Sequence, residues 1–278
     1  MRTEHKPTFD APTERDLRKR RVNAVISKVF SCLPDHILEL NALLRRPSVD
    51  VRQSSRIIRN DPTLHVRVLS LASAAVVNDG QPVHSIAEAM VLLGPERLRA
   101  FVLSHELTNL AGRQLSEHSV RDFRQHSSLT AAYSERIARG LDYLQPEEAY
   151  VGGLIHDIGT MPLLIVAQEE KAKGAAPPQN WQDDLLRERE FFGIDHCEVG
   201  RWMGVAWDFS SSLVEVIQHH HAPLNSTKES VLVGIVAAGD YYSGLPSAVT
   251  AGYRSEVAPL SLPLISGITR AARTSLIS

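Results

Sequence analysis

An all-α protein is what this sequence predicts, and three observations predict it. Apolar residues recur at the three- and four-residue spacing of a helix face, alternating runs suited to strands are scarce, and caps and stops punctuate the pattern. Residues 1–13 are polar, carry two prolines and show no periodicity, so a flexible tail is expected there. The five cations of Arg15–Arg21 read as the solvated face of a first helix. From His36 to Arg46, Ile37, Leu38, Leu40, Leu43 and Leu44 line one helical face, and Pro47-Ser48 ends that helix. Asp61 is placed to cap the next, with Pro62 at its first position and its body running to Ala75. Ser85 caps Ile86–Leu93, and Gly94-Pro95 closes that helix and opens another, which reaches about Leu110.

Beyond Gly112 the pattern continues. His118–Gly140 reads as one long helix, and Gln145-Pro146-Glu147-Glu148 opens another that ends at His156-Asp157. Met161–Lys173 is apolar on one face, and Gly174–Pro178 is a loop. Helices are then expected over Trp181–Glu190, Asp195–Trp207, Ser210–His221, Ser226–Ser243 and Leu264–Leu276. A division near residue 112 separates an N-terminal helical subdomain, 14–112, from a second one, 113–278. Residues 244–278 are small-residue rich, with Pro246, Pro259 and Pro263, and are expected to pack over the helical body or form a partner surface.

The composition is that of a soluble domain, with 43% hydrophobic and 22% charged residues and a mean hydropathy of −0.13. A formal net charge of −2 supplies no global basic field, which argues against nucleic acid as a partner. Two distant cysteines, Cys32 and Cys197, are too few for a disulfide framework and fit a reducing cytoplasm. Cys197 reads as a small buried residue. Val231–Gly239 is the longest strongly apolar stretch, under half of the roughly 20 residues a membrane span needs, so no membrane partner is expected.

Histidines and aspartates carry the chemical signal. His126, the pair His156-Asp157, His196, the triple His219-His220-His221 and Asp240 each fall on or beside a separate helix. Imidazole nitrogens and carboxylate oxygens form the mixed ligand set that Fe, Mn, Ni and Zn accept. Asp157 is the natural centre, because a carboxylate can bridge two cations while an imidazole offers one coordinating nitrogen. Neighbouring residues on a helix point about 100° apart, so His156 and Asp157 share an ion most easily at a helix end, which Gly159 would supply. The same geometry allows one or two of the three consecutive histidines to bind, and not all three. A packed, metal-free cluster would use the same residue types.

This spaced set resembles the HD superfamily of metal-dependent phosphohydrolases, and more closely the HDOD domain, the "HD-related output domain" of bacterial signalling proteins. Leu33-Pro34, Ile57–Leu64, Val66–Ala72, Ser85–Ala89 with Leu93-Gly94, His126-Ser127, Gly153–Gly159, Gly193–His196 with Glu198–Gly200, and His220–Pro223 carry the resemblance. It covers about residues 24–243 and implies an HD-like helical bundle. It also implies metal ligation by His126, His156, Asp157, His196, His220, His221 and Asp240.

Three departures bear on activity. Relatives that cleave cyclic dinucleotides carry a lysine three residues after the aspartate of the pair, where this chain has Thr160, a hydroxyl without charge. Their Gly-Tyr-Pro motif after the paired histidines is replaced by Ala222-Pro223-Leu224, and the family's Asn-Ser-Ala by Ser73-Ala74-Ala75. The expectation is therefore a stand-alone, cytoplasmic regulatory module that binds a signalling protein partner, with a nucleotide as a further ligand, and does not turn over substrate. The alternative is a metal-dependent phosphohydrolase acting on a nucleotide or cyclic dinucleotide. In that case one or two divalent ions would be its cofactors and Asp157 its central residue.

Overall fold

A computed structural model describes residues 12–75, 83–178, 182 and 184–244. Every regular element among them is helical, and none is a strand. Most of the expected tail, the helix expected at Leu264–Leu276 and the packing expected of residues beyond 244 lie outside the described residues.

The N-terminal half is built from α1 (Glu14–Ser31), α2 (Asp35–Leu44), α3 (Val51–Asn60), α4 (Pro62–Ala75) and α5 (Ile86–Ala111). Thr13 and Asp16 close a capping box at the start of α1, each side chain accepting from the other's backbone N–H. Asp61 and Ser85 cap α4 and α5 through the Leu64 and Glu88 N–H groups. Helix α5 breaks at Gly94, whose φ of +72° is open to glycine, and resumes at Pro95. Helix α3 was not legible as a helix: its apolar side chains are few, and Ser54 and Ser55 join Ile57 and Ile58 on its buried face.

α1 does not present its cations only to water. Arg21 clasps Glu169 through two bonds of 2.6 and 2.9 Å, and Arg18 reaches Glu170 at 3.2 Å and stacks on Phe191. Arg18 and Arg21 of this cluster thus fasten α1 across α8 (Thr160–Ala172) and α9 (Leu185–Phe192).

The remaining elements are α6 (Glu117–Gly140), α7 (Pro146–Ile155), α10 (His196–Ala206), α11 (Ser211–His219) and α12 (Ser230–Ser243), with a short 3-10 turn at Pro223–Asn225. α9 begins at Leu185, after Asp184 takes the Leu186 and Arg187 N–H groups, and α12 begins four residues later than expected. One apolar core runs from Val22 to Ile217 and continues across residue 112. A second cluster, including Ile137, Ala149, Val216 and Val236, fills the meeting of α6, α7, α11 and α12. Among the described residues, an 18-residue window within Pro146–Ala172 has a mean hydropathy of 1.4, but 94% of it is buried as the core of the bundle.

Close approach places the site. A Cβ on Gly153 would lie 2.7 Å from Ala131 Cα, so glycine lets α7 lie against α6. Gly159 has an ordinary helical φ of −70°, and its role is therefore not a left-handed turn. A side chain there would collide with the His196 carbonyl, so Gly159 brings the α7–α8 junction against the start of α10.

Candidate metal centre

Five helices deliver the ligand candidates to one point. His126 comes from the middle of α6, His156 and Asp157 from the end of α7, and His196 from the first residue of α10. His220 and His221 follow α11, and Asp240 lies near the end of α12. His126 Nε2 stands 3.1 Å from His156 Nε2, 3.2 Å from Asp240 Oδ1 and 3.8 Å from Asp157 Oδ2. On the other side, His196 Nε2 stands 3.1 Å from His221 Nε2 and 3.3 Å from His220 Nε2. Asp157 Oδ1 faces this second group, 3.3 Å from His196 and 3.6 Å from His220. The two carboxylate oxygens of Asp157 thus address different histidine groups. His219 turns away toward Glu215, at 3.9 Å, so two of the three consecutive histidines enter the site.

The far side of each ring decides what the near side offers. His156 Nδ1 and His220 Nδ1 lie 2.8 and 3.0 Å from the Gly153 and Ile217 carbonyls, which only accept, so both Nδ1 atoms donate. His196 Nδ1 donates to the Glu188 carboxylate at 2.9 Å. Ser243 gives its one proton to the Asp240 carbonyl, so its 3.0 Å contact with His126 Nδ1 makes that nitrogen a donor too. With the Nδ1 positions protonated, each neutral ring turns an Nε2 lone pair inward. These lone pairs meet one another and the Asp157 and Asp240 oxygens, and Asp157 Oδ1 is buried without a hydrogen-bond donor. Acceptors packed this closely require positive charge, from protons or a metal ion. The donor set therefore fits a divalent metal, with carboxylate and imidazole ligands each oriented by a further hydrogen bond.

The titration behaviour carries the same message. Burial opposes charge on Asp157, but His196, His156 and His220 outweigh it and hold the carboxyl well below its ordinary range. Burial likewise lowers His156, yet Asp157 and Asp240 prevail and raise it to about 8. His196 is raised, chiefly by Asp157 against its burial, while burial and the neighbouring histidines push His221 down to about 4. Positive charge is thus favoured on His156 and His196, beside Asp157, and opposed on His221.

Two residues that orient ligands, Glu188 and Ser243, were not foreseen, and only the first carried no recognisable signal. Glu188 is fully buried and accepts from both the His196 backbone N–H, at 2.7 Å, and its ring. In sequence it stands in the charged run Arg187-Glu188-Arg189-Glu190, which resembles a solvated face. Ser243, by contrast, follows Asp240 by three residues on one helix, a spacing from which its proximity is deducible. Cys197 is buried as expected, but its Sγ also sits 3.5 Å from His196 Nε2, within the second ligand group. Burial raises its pKa and keeps it a thiol.

A helical bundle with this ligand order is the architecture of an HD-type domain, and residues 31–223 match the HDOD domain. The chain belongs to the HDOD domain family. Solved structures agree. A Shewanella amazonensis SB2B protein named "Putative phosphohydrolase" is 27% identical, with a TM-score of 0.58 over 83% of this chain and 85% of its own. A second from the same organism, named "Putative metal-dependent phosphohydrolase", shares the fold at 16% identity, with a TM-score of 0.60 over 91% and 90% of the two chains. An uncharacterized protein of Treponema pallidum (strain Nichols) is 24% identical over 201 residues, 68% of this chain. The chain spans 37% of that relative's length.

Proposed function

We propose that this HDOD chain is a regulatory module that holds divalent metal inside its helical body and acts on a signalling protein partner without turning over substrate. The observation that carries this reading is the enclosure of the ligands: His156, Asp157, His196 and His220 are each 5% exposed or less. His126, His156, Asp157 and Asp240 would hold one ion. His196, His220 and His221 would hold another, with Asp157 offering one oxygen to each group. A divalent ion bound there supplies positive charge and Lewis acidity. The protein's own part is orientation: Gly153, Ile217, Glu188 and Ser243 fix the rings of His156, His220, His196 and His126. Ligands drawn from five helices make the centre a device that locks their relative positions, which suits a cytoplasmic module read by its surface. Thr160 supports the same reading. Its side chain is 7% exposed and its Oγ1 has no partner among the described residues, so it points into packing and brings no charge to a phosphate.

A second reading, a phosphohydrolase acting on a nucleotide or cyclic dinucleotide, is favoured by the partly open rim of the cluster. The His126 and Asp240 side chains are 29% and 22% exposed, and His221 is exposed. The 27% identical Shewanella protein, named "Putative phosphohydrolase", agrees with it. Elemental analysis of protein purified without added metal, followed by assay on cyclic dinucleotides, nucleotides and a generic phosphodiester, separates the two. Near-stoichiometric Fe, Mn, Ni or Zn without hydrolysis is the expected result. Hydrolysis that disappears in Asp157→Asn would decide for the enzyme. Absence of metal under both reducing and aerobic purification would overturn the metal-holding role itself.

A further inference from the structure

One face of α6 has no part in the metal centre. Arg121, Arg124, Gln125 and Ser128 recur at three- and four-residue spacing and form one stripe of that helix. At about 100° per residue, Arg124 points to the side opposite His126. The stripe walls a cavity of about 760 Å³ that Arg67 of α4 and Arg113, just beyond α5, close from the other sides. Four arginines therefore face one basin.

Their charge is only partly met within the protein. None of the four forms an ion pair among the described residues. Arg124 is held by neutral oxygens, Thr108 Oγ1 at 2.9 Å and Asn109 Oδ1 at 2.8 Å, and Arg121 contacts His118 at 3.3 Å. These bonds aim the Arg124 guanidinium without neutralising it. Glu117 lines the rim. Glu106, close by, is buried and offers a negative charge to Arg124; together with Glu117 it answers at most two of the four cations. The basin keeps a surplus of positive charge.

Guanidinium forks bind phosphate oxygens through paired N–H bonds, and two forks go far to saturate a single phosphate. Four forks call for an anion with more than one phosphate group. The cavity volume lies in the range of small-molecule sites, roughly 300–1,000 Å³. No aromatic side chain lines it, so it lacks the stacking platform on which single-stranded nucleic acid depends. We propose that this basin binds a small oligophosphate anion, either inorganic or the phosphate tail of a nucleotide, through Arg67, Arg113, Arg121 and Arg124.

The test is calorimetric titration of the full chain with sodium tripolyphosphate, ATP and orthophosphate at about 50 and 200 mM salt. Tripolyphosphate is expected to bind one to one, more tightly than orthophosphate and more weakly at the higher salt. The double variant Arg113→Gln/Arg121→Gln should weaken it about tenfold or more, since two charged forks are lost. Both side chains are exposed, so the variant should keep the helical circular dichroism of the parent. Equal affinity for ATP and tripolyphosphate would assign recognition to the phosphates alone; tighter ATP binding would assign it to a nucleotide. No saturable tripolyphosphate binding at low salt would overturn the proposal. So would binding that the double variant leaves unchanged, which would place the anion at the metal centre or elsewhere. Arginine-dependent binding of a single-stranded oligonucleotide without tripolyphosphate binding would also overturn it, in favour of nucleic acid.

Discussion

Replacing Glu188 by glutamine probes how far the candidate metal centre depends on a residue that is not itself a ligand. Glu188 accepts two bonds from His196, from the backbone N–H at 2.7 Å and from Nδ1–H at 2.9 Å, with no exposure to water. Glutamine keeps the volume but replaces one oxygen by an NH₂ group, which can only donate. Oε2 accepts from both His196 donors, so an amide oxygen kept there leaves the NH₂ in the place of Oε1, where it faces the Nδ1–H at 3.0 Å; the ring then exchanges one of its two acceptor oxygens for a donor in a buried place. A charge-assisted hydrogen bond of this kind contributes about 1.5–3 kcal/mol, so the urea unfolding free energy should fall by that order. The His196 ring also loses the carboxylate that holds its tautomer and raises its basicity. Substitutions of such partners lower metal affinity by about 10–100-fold, or about 1.4–2.7 kcal/mol. Competition against a chelator of known affinity measures this, with Zn(II) as the probe metal. Lower stability with unchanged zinc affinity would show that Glu188 merely fastens α9 to α10, and the reasoning would be refuted.

Three further perturbations follow from the packing and the titration behaviour. Gly153→Ala should destabilise the protein by about 1–3 kcal/mol, because its methyl would enter the 2.7 Å space against α6; an unchanged thermal midpoint would contradict that approach. Thr160→Val removes a buried hydroxyl that lacks a partner among the described residues, and should be neutral or stabilise by about 1 kcal/mol; a clear loss in urea denaturation would show that the hydroxyl is used. His105 is pushed down to about 4 by burial and by Arg67 and Arg124, and its Nε2 accepts from the Asn109 amide at 3.1 Å. A depressed histidine favours proton uptake by the unfolded chain, so stability should be lost as pH falls from about 6.5 toward 4. At about 1.4 kcal/mol per pKa unit the loss is at most about 3 kcal/mol. His105→Gln should flatten that acid limb; an unchanged slope would assign the loss to other groups.

Legibility varied with the range of the interaction. Helices α2, α4 and α6, the break at Gly94 and the caps at Asp61 and Ser85 were readable because each signal acts within a few residues. Helix α3 was not readable, since half of its buried face is serine and its burial comes from α2, α4 and α5. The Arg15–Arg21 cluster resembled a solvated face because its carboxylate partners, Glu169 and Glu170, lie about 150 residues away along the chain. Glu188 was hidden for the same reason: only the placement of α9 against α10 makes a charged residue interior.

By itself the sequence determined the helical class, most helix limits and the chemical identity of the ligand set. Periodicity, capping and the donor atoms of histidine and aspartate are local properties of the chain. Only the tertiary structure decided that His220 and His221 enter the centre while His219 does not, and which oxygen of Asp157 faces which histidine group. It alone also gathered Arg67, Arg113, Arg121 and Arg124 around one basin. These outcomes depend on distances between helices remote in sequence, and those distances are set by how closely residues such as Gly153 and Gly159 allow the helices to approach.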